Sequence, residues 1–173
     1  ISVIGLGYVG LPLAVALSKS FEVVGFDINE SRVKELNAHN DKTLEVAKKE
    51  LKKANNLKIS SNQNDIAGSD IFIATVPTPI DEKNNPDLIA LKMASKTIAC
   101  AIKKGSIVVY ESTVYPGCTE EICVPILEKC SNLSFNKDFF VGYSPERINP
   151  GDKNHAIGDI VKIISASNKK SLN

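Results

Sequence analysis

The sequence is poor in the residues that usually mark metal sites, disulfide frameworks and nucleic-acid-binding surfaces. Its four cysteines form no C-x-x-C pair, and its two histidines cannot complete a usual zinc spacing with them. Lysine plus arginine number 21 against 20 acidic residues, with no basic stripe or acidic tail, so we expect no metal and no nucleic-acid partner. The cysteines indicate reduced thiols in a cytoplasmic protein.

Charge is also missing from the first 18 residues, a run that could be mistaken for a signal peptide or a membrane span. No basic segment precedes the run and no small-residue cleavage site ends it. Three glycines and a proline interrupt it, and it is too short to cross a bilayer comfortably. We therefore expect no membrane association and interpret the run as a buried strand, a turn and a helix.

The remaining sequence alternates apolar strands with helical patterns over a length, 173 residues, that suits one domain. The predicted strands cover residues 1–4, 22–26, 57–60, 71–76, 106–110, 139–143 and 159–165. The predicted helices cover residues 11–18, 29–37, 43–54, 65–68, 87–102 and 119–130, the last bent at Pro125. This alternation predicts an α/β fold of the Rossmann type, a doubly wound, mostly parallel sheet with helices on both faces.

A glycine-rich turn, G-x-G-x-x-G at residues 5–10, lies between the first predicted strand and the first predicted helix. This is the context in which the motif binds a dinucleotide. Gly5 would make the tight turn, Gly7 would let the backbone approach a pyrophosphate, and Gly10 would let the helix pack closely on the strand. The start of the helix would supply free N–H groups and the positive end of its dipole.

An acidic residue, Asp27, ends the second predicted strand 22 residues after Gly5. A carboxylate there can hold the adenosine ribose hydroxyls and would repel a 2′-phosphate, so the sequence favours NAD as cofactor. Arg32, five residues further on, could lie near the adenosine and leaves NADP open. The alternative is a glycine turn followed by an ordinary acid at a strand end.

Three polar segments, residues 76–79, 111–114 and 144–147, follow the fourth, fifth and sixth predicted strands. Because parallel strands bind ligands at their carboxyl ends, we expect several hydroxyls and the Glu146 carboxylate to face one crevice. Glu146 could position a water or act as a base. It could equally be a carboxylate at a helix start, or the salt-bridge partner of Arg147.

The other titratable residues give weaker signals. Glu111 is predicted to be a surface charge at a strand end. Cys118 lies near a helix start, where a thiol can be acidified. The other three cysteines are predicted to be helix residues that face the core or the solvent, at Cys100, Cys123 and Cys130.

Five ordered blocks of sequence resemble the N-terminal NAD-binding domain of the UDP-glucose/GDP-mannose dehydrogenase family. The blocks are IGLGYVGLPLA (4–14), GFDINESRV (25–33), VPTPI (76–80), ESTVYPGCTEE (111–121) and GYSPERINPGDK (142–153). The resemblance implies an enzyme that oxidises the C6 hydroxyl of a nucleotide-sugar to a carboxylate in two hydride transfers to NAD. In this family a cysteine carries the sugar as a thiohemiacetal and then as a thioester.

Carried over by position, the resemblance implies a role for each matching residue. The implied NAD-binding residues are Gly5, Gly7, Tyr8, Val9, Gly10, Asp27, Arg32, Pro77, Thr78, Ser112 and Thr113. Thr113 would also help to hold a water or the reacting oxygen, and Glu146 would assist thioester hydrolysis. Glu146, Arg147 and Asn149 would contact the UDP-linked substrate.

The sequence also departs from the family. Cys118 occupies a place where the family commonly has threonine, and the glycine-rich motif that contains the nucleophilic cysteine does not occur. The central dimerising helix and the C-terminal nucleotide-sugar domain are missing. Residues 1–173 are therefore expected to form one NAD-binding Rossmann domain that is inactive alone, and the full-length parent to be a homodimer or a higher oligomer.

The stretch ERINPGDK resembles the subgroup that acts on UDP-N-acetylhexosamines more than the UDP-glucose enzymes. The expected function is UDP-N-acetylhexosamine 6-dehydrogenation for surface polysaccharide precursors. A UDP-glucose or GDP-mannose 6-dehydrogenase and a non-catalytic dinucleotide-binding module are the alternatives. A β-hydroxyacid dehydrogenase would share the glycine turn, and a methyltransferase would share both the glycine turn and the acid that ends the next strand.

Overall fold

A seven-stranded sheet forms the centre of the molecule in the computed structural model, which describes residues 1–146 and 161–172. The strands are β1 (Ser2–Ile4), β2 (Val23–Phe26), β3 (Leu57–Ser60), β4 (Ile71–Ala74), β5 (Ile107–Tyr110), β6 (Phe140–Tyr143) and β7 (Ser165–Ala166). Their order is β3-β2-β1-β4-β5-β6-β7; the first six run parallel, and β7 is antiparallel to β6. This order is that of a Rossmann sheet, as the alternating pattern predicted.

The helices pack on both faces of the sheet, also as predicted. They are α1 (Gly10–Leu17), α2 (Glu30–Asn37), α3 (Lys48–Lys53), α4 (Ile89–Ala99), α5 (Val124–Ser131) and α6 (Lys169–Leu172). In β1, Val3 belongs to the core cluster that α1 and α2 cover, whereas Ile4 belongs to the cluster that α4 and α5 cover. Successive residues of a strand point to opposite faces, so β1 supplies both cores.

The uncharged N-terminal run forms β1, the glycine turn and α1, which confirms its interpretation as a strand, a turn and a helix. No helix in the described part of the chain is long and apolar enough to cross a membrane. The apolar residues of α1 instead pack against the sheet, because Leu11 and Ala14 are fully buried in one of its two cores.

The helix predicted over residues 43–54 is confirmed only in its second half, as α3 (Lys48–Lys53); its predicted start at Thr43 is wrong, since residues 41–46 form a loop. The Asp41 carboxylate accepts the backbone N–H groups of Thr43, Glu45 and Val46. Side-chain bonds of this kind compete with helical hydrogen bonds. Leu44, predicted to lie on a helical face, is 82% exposed at a φ of 59°.

Two further predictions need correction. The predicted helix over residues 119–130 is not α-helical throughout, because it starts with a π-helical turn, Thr119–Cys123, that leads directly into α5 at Val124. Pro125 therefore lies in the first turn of α5, where its missing N–H costs no helical hydrogen bond. The seventh strand was predicted over residues 159–165, but the structure has only the short strand β7 at Ser165–Ala166. Residues 159 and 160 lie outside the described part.

Candidate functional site

The carboxyl ends of the parallel strands open into a cleft of about 710 Å³. It lies where β1 and β4 adjoin, the point at which the strand order reverses. Nearly all the sequence-predicted site residues that the structure describes line it: Gly5, Gly7, Tyr8, Val9, Asp27, Pro77, Thr78, Ser112, Thr113 and Glu146. Gly10 and Arg32 lie behind this lining, and Arg147 and Asn149 fall outside the described residues.

The three glycines of the turn meet three different steric demands. Gly5 has a φ of +94°, which favours glycine. A Cβ at Gly10 would stand 1.9 Å from the Gly5 carbonyl oxygen, so α1 can reach the strand only without a side chain there. At Gly7, a Cβ would meet no described atom within 4 Å, because that position faces open cleft. These are the roles that the motif predicted for a pyrophosphate-binding turn.

The Asp27 carboxylate is fixed at the edge of the cleft by two backbone amides. Leu6 N–H donates to Oδ2 at 2.8 Å, and Asn29 N–H donates to Oδ1 at 2.9 Å. Each carboxylate oxygen can accept a further hydrogen bond. The arrangement can therefore receive two neighbouring hydroxyl groups, as a ribose presents them.

Arg32 supports the glycine turn from behind. Its Nε donates to the Leu6 carbonyl oxygen at 2.9 Å, and its Nη1 and Nη2 contact Glu35 and Asp41, each at 2.8 Å. The side chain is 10% exposed. The structure thus places Arg32 beneath the glycine turn, whereas the sequence predicted that it would lie near the adenosine.

Two hydrogen bonds join the loops that follow β4 and β5. Thr78 Oγ1 donates to the Thr113 carbonyl oxygen at 2.5 Å, and Ser112 Oγ donates to the Val76 carbonyl oxygen at 2.6 Å. Ser112 is buried by this contact, whereas Thr113 stays exposed toward the cleft. The two polar loops therefore form one rigid rim, as their positions at adjacent strand ends predicted.

Glu111 is not the surface charge that the sequence predicted. Its carboxylate is 7% exposed, lines the cleft and contacts the Lys162 ammonium group at 2.5 Å. Lys162 is 51 residues away in sequence and belongs to the segment that leads into β7, so no local pattern indicates the pair. The buried charge is tolerated because it is paired.

One wall of the cleft was missed by motif analysis. Ala90, Met93, Ala94 and Thr97 of α4 line it together with Ile28. The four α4 residues recur at helical spacing and so share one face, a signal that was present in the sequence. This wall gives the cleft a largely apolar side next to Asp27, suited to a flat ring.

The cysteines lie away from the cleft. Cys118 and Cys123 are buried, and Cys100 and Cys130 are exposed. Burial raises the pKa of the Cys118 thiol above its ordinary value, so its position near a helix start does not acidify it. Burial likewise raises the pKa of Cys123 to about 11. Among the described residues, no group of three or more His, Cys, Asp or Glu side chains could hold a metal ion.

The strand order, the sterically required glycines and the anchored carboxylate together define a dinucleotide-binding Rossmann domain. The sequence profile of the UDP-glucose/GDP-mannose dehydrogenase family, NAD binding domain, matches residues 1–173. The chain belongs to this family, and its cofactor is NAD. The open space at Gly7 and the free acceptor capacity of Asp27 fit the pyrophosphate and a ribose that carries no 2′-phosphate.

Named relatives place the chain within this family. It is 59% identical over 167 residues to UDP-N-acetyl-D-glucosamine 6-dehydrogenase of Pseudomonas aeruginosa, covering 96% of this chain and 40% of the relative. It is 55% identical to Protein CapL of Staphylococcus aureus, covering 99% and 40% respectively. The structure of UDP-D-ManNAc dehydrogenase from Pyrococcus horikoshii superposes with a TM-score of 0.89 at 32% identity, over 99% of this chain and 42% of that one. The chain thus spans about two fifths of its relatives.

Proposed function

We propose that this chain is the NAD-binding part of a nucleotide-sugar dehydrogenase that oxidises the C6 hydroxyl of a UDP-N-acetylhexosamine to a carboxylate. The observation that carries the proposal is the similarity to a UDP-N-acetyl-D-glucosamine 6-dehydrogenase along nearly the whole chain. The architecture of the cleft supports it, because each loop at the strand ends presents groups suited to one part of a dinucleotide.

The proposed cofactor site uses the cleft from the glycine turn to α4. The backbone of residues 5–10 would hold the pyrophosphate at the start of α1, where N–H groups without a helical partner and the helix dipole favour an anion. The Asp27 carboxylate would accept hydrogen bonds from the adenosine ribose, and the apolar wall of α4 would cover the adenine ring. Arg32 would contribute by holding the turn in place.

The rim formed by the two hydrogen-bonded loops would surround the nicotinamide ring, with Pro77, Thr78, Ser112 and Thr113 as contacts. When bound, NAD supplies the hydride acceptor for each of the two oxidation steps. The role of the rim is to fix the ring next to the substrate carbon, since catalysis of a transfer depends on such positioning. The cross-loop bonds support this role, because they restrain both loops before any ligand arrives.

Thr113 and Glu146 are the proposed catalytic residues of this chain. The Thr113 side chain is exposed at the rim and would hold a water or the reacting oxygen by a hydrogen bond. Glu146 is half-buried in the lining of the same cleft. Its carboxylate would accept a proton from the water that releases the oxidised sugar from an enzyme thiol. Glu146 would also contact the sugar, together with Arg147 and Asn149.

The nucleophilic thiol is proposed to come from outside residues 1–173. In the described part of the chain no cysteine lines the cleft. The two buried thiols are also held in their unreactive protonated form, because a raised pKa lowers the thiolate fraction at neutral pH. The isolated chain should therefore bind NAD but oxidise no nucleotide-sugar.

The setting proposed for the whole enzyme follows from the family resemblance. We place it in the cytoplasm as a homodimer or a larger oligomer, supplying precursors of surface polysaccharides. Size-exclusion chromatography with light scattering on the protein encoded by the complete open reading frame tests the oligomer. A monomeric mass across the micromolar range would contradict it.

Calorimetric titration of the chain with NADH tests the cofactor site directly. Saturable binding is expected, and no binding at millimolar NADH would overturn the assignment of the cleft. The protein encoded by the complete open reading frame should then produce two NADH for each UDP-N-acetylglucosamine or UDP-N-acetylgalactosamine consumed. Faster turnover of UDP-glucose or GDP-mannose would instead favour those substrates, and an inert full-length protein would favour a non-catalytic dinucleotide-binding module.

A further inference from the structure

Asp41 is a fully buried carboxylate that the proposed reaction does not use. Its side chain is 0% exposed, in the loop between α2 and α3. One oxygen accepts the N–H and the hydroxyl of Thr43, and the other accepts the N–H groups of Glu45 and Val46. The loop therefore folds around this carboxylate and holds it in one position.

Asp41 is also ion-paired with Arg32, whose Nη2 lies 2.8 Å from Oδ1. Burial by itself would raise the pKa of Asp41, but the hydrogen bonds from Thr43, Val46 and Arg32 outweigh it and hold the pKa below its ordinary value. The carboxylate is therefore charged at neutral pH. The pair is a buried, hydrogen-bonded ion pair of the kind in which each partner depends on the other.

The ion pair reaches the cofactor cleft through the backbone of Leu6. The Leu6 carbonyl oxygen accepts the Nε–H of Arg32 at 2.9 Å, and the Leu6 N–H donates to Asp27 Oδ2 at 2.8 Å. One continuous chain of contacts therefore runs from Asp41 through Arg32 and Leu6 to Asp27. Leu6 is the second residue of the glycine turn, so the same contacts fix the turn and the carboxylate at the edge of the cleft.

These contacts occupy the guanidinium group almost completely. Of its five N–H donors, those directed at Leu6, Glu35, Asp41 and Thr43 account for four. An arginine near the end of the second strand is the group that accommodates the 2′-phosphate of NADP in Rossmann domains. Here Arg32 is turned away from the cleft and neutralised by the carboxylates of Glu35 and Asp41.

We propose that Asp41 is a positioning residue that determines cofactor specificity, acting through Arg32. It holds the guanidinium beneath the glycine turn, which orients Asp27 for the ribose hydroxyls and withholds the positive charge that a 2′-phosphate would need. The proposal rests on the proposed NAD site. It assigns the discrimination between NAD and NADP to Asp41 and Arg32, in addition to the half-buried carboxylate of Asp27 at the edge of the cleft.

The test compares the affinities of NADH and NADPH for the chain by calorimetry. The variant is Asp41→Asn, and Asp70→Asn is the matched control, because Asp70 is an exposed acid at the opposite, amino end of the strands. D41N should weaken NADH binding and shift the NADPH-to-NADH affinity ratio toward NADPH, each on the order of tenfold, the size of an ordinary coupling between sites. D70N should leave both affinities unchanged.

A second background separates the two sources of discrimination. In Asp27→Ser, which removes the carboxylate at the edge of the cleft, adding D41N should improve NADPH binding on the order of tenfold, whereas adding D70N should not. If D41N does not melt cooperatively, Glu35→Gln is the second variant: it removes the charge that Nη1 of Arg32 contacts, while its amide oxygen can still accept the backbone N–H of Lys42, and it should shift the ratio in the same direction.

Three results would overturn the proposal. One is a folded D41N chain whose NADPH-to-NADH ratio equals that of the wild type, which would reduce Asp41 to a structural role in its loop. Another is an unchanged ratio in E35Q where D41N is unfolded. The third, absent NADH binding by the wild-type chain, would refute the NAD site itself and is recognised before any variant is made.

Discussion

Replacing Gly10 by alanine should separate the packing role of the glycine turn from its ligand-binding role. The added Cβ would stand 1.9 Å from the Gly5 carbonyl oxygen and 2.3 Å from Thr75 Oγ1. The first of these atoms is backbone and cannot rotate away. The second is held in place because the Thr75 hydroxyl donates to the Gly5 oxygen at 2.7 Å. Helix α1 would therefore have to move away from β1 by more than about 1 Å to reach a normal carbon–oxygen separation.

The cost follows from the packing that this shift disrupts. Overpacking a tight interior site costs typically 1–3 kcal/mol, and a clash with fixed backbone belongs at the upper end, so we expect a loss of about 3 kcal/mol. For a domain of this size that loss corresponds to a fall in Tm of roughly 6 to 12 °C. Thermal unfolding followed by circular dichroism measures it. A G10A chain as stable as the wild type would refute the steric argument.

Gly7→Ala is the matched control, since its Cβ would meet no described atom within 4 Å. Its Tm should stay within a degree or two of the wild type. Because its methyl group would occupy the space proposed for the pyrophosphate, its NADH affinity should fall by roughly tenfold, or ~1.4 kcal/mol. Undiminished NADH binding by G7A would show that the cofactor does not approach this backbone.

Three further predictions concern buried and exposed titratable groups. Lys162→Met leaves the Glu111 carboxylate buried without its partner, so unfolding in urea should show a loss of about 2–3 kcal/mol, which a second substitution, Glu111→Gln, should largely restore. The pKa of Asp41 is lowered in the folded state, so its charge stabilises the fold above the unfolded pKa near 3.8. This stabilisation is lost as the pH falls below that value. The D41N chain should therefore lose less free energy of unfolding than the wild type across the same acidic range. Iodoacetamide at neutral pH should label the exposed thiols of Cys100 and Cys130 and spare the two buried ones, and mass spectrometry showing more than two adducts on the folded chain would contradict the burial.

The elements that the sequence predicted correctly are those governed by local rules. Parallel strands buried on both faces are continuous apolar runs, so residues such as 71–74 and 107–110 are recognisable without knowledge of their neighbours. The glycine turn is equally local, because Gly5 and Gly10 answer steric needs created within the β1–α1 unit or by the adjacent strand, and Gly7 leaves space open toward the cleft. The parallel arrangement with helices on both faces follows from the alternation of strands and helices and the handedness of the crossovers.

The errors arise where a distant residue decides between two local outcomes. Thr43 has the side chain of a helix cap, but Asp41 competes for the same N–H groups, and its pairing with Arg32 from another element fixes the loop form. In the sequence Glu111 resembles any acid at a strand end, but in the structure it is buried and paired with Lys162. Lys162 could not be identified as its partner from the sequence, because lysines are abundant and no spacing rule connects residues 51 apart.

The same contrast separates the groups that would contact NAD at the proposed site from the groups that hold them in place. The groups that would touch the cofactor are backbone atoms and short side chains on the turns that end β1, β2, β4 and β5, and such turns carry recognisable motifs. The groups that hold those turns are long charged side chains from elsewhere, Arg32 with Asp41 behind the glycine turn and Lys162 behind Glu111. Sequence motifs indicate the first kind, and of the second kind they indicate Arg32 alone, without its partner Asp41 or its place beneath the turn. Because a buried ion pair broken on one side is strongly destabilising, substitutions at these supporting residues should affect binding as much as substitutions at the contacts themselves.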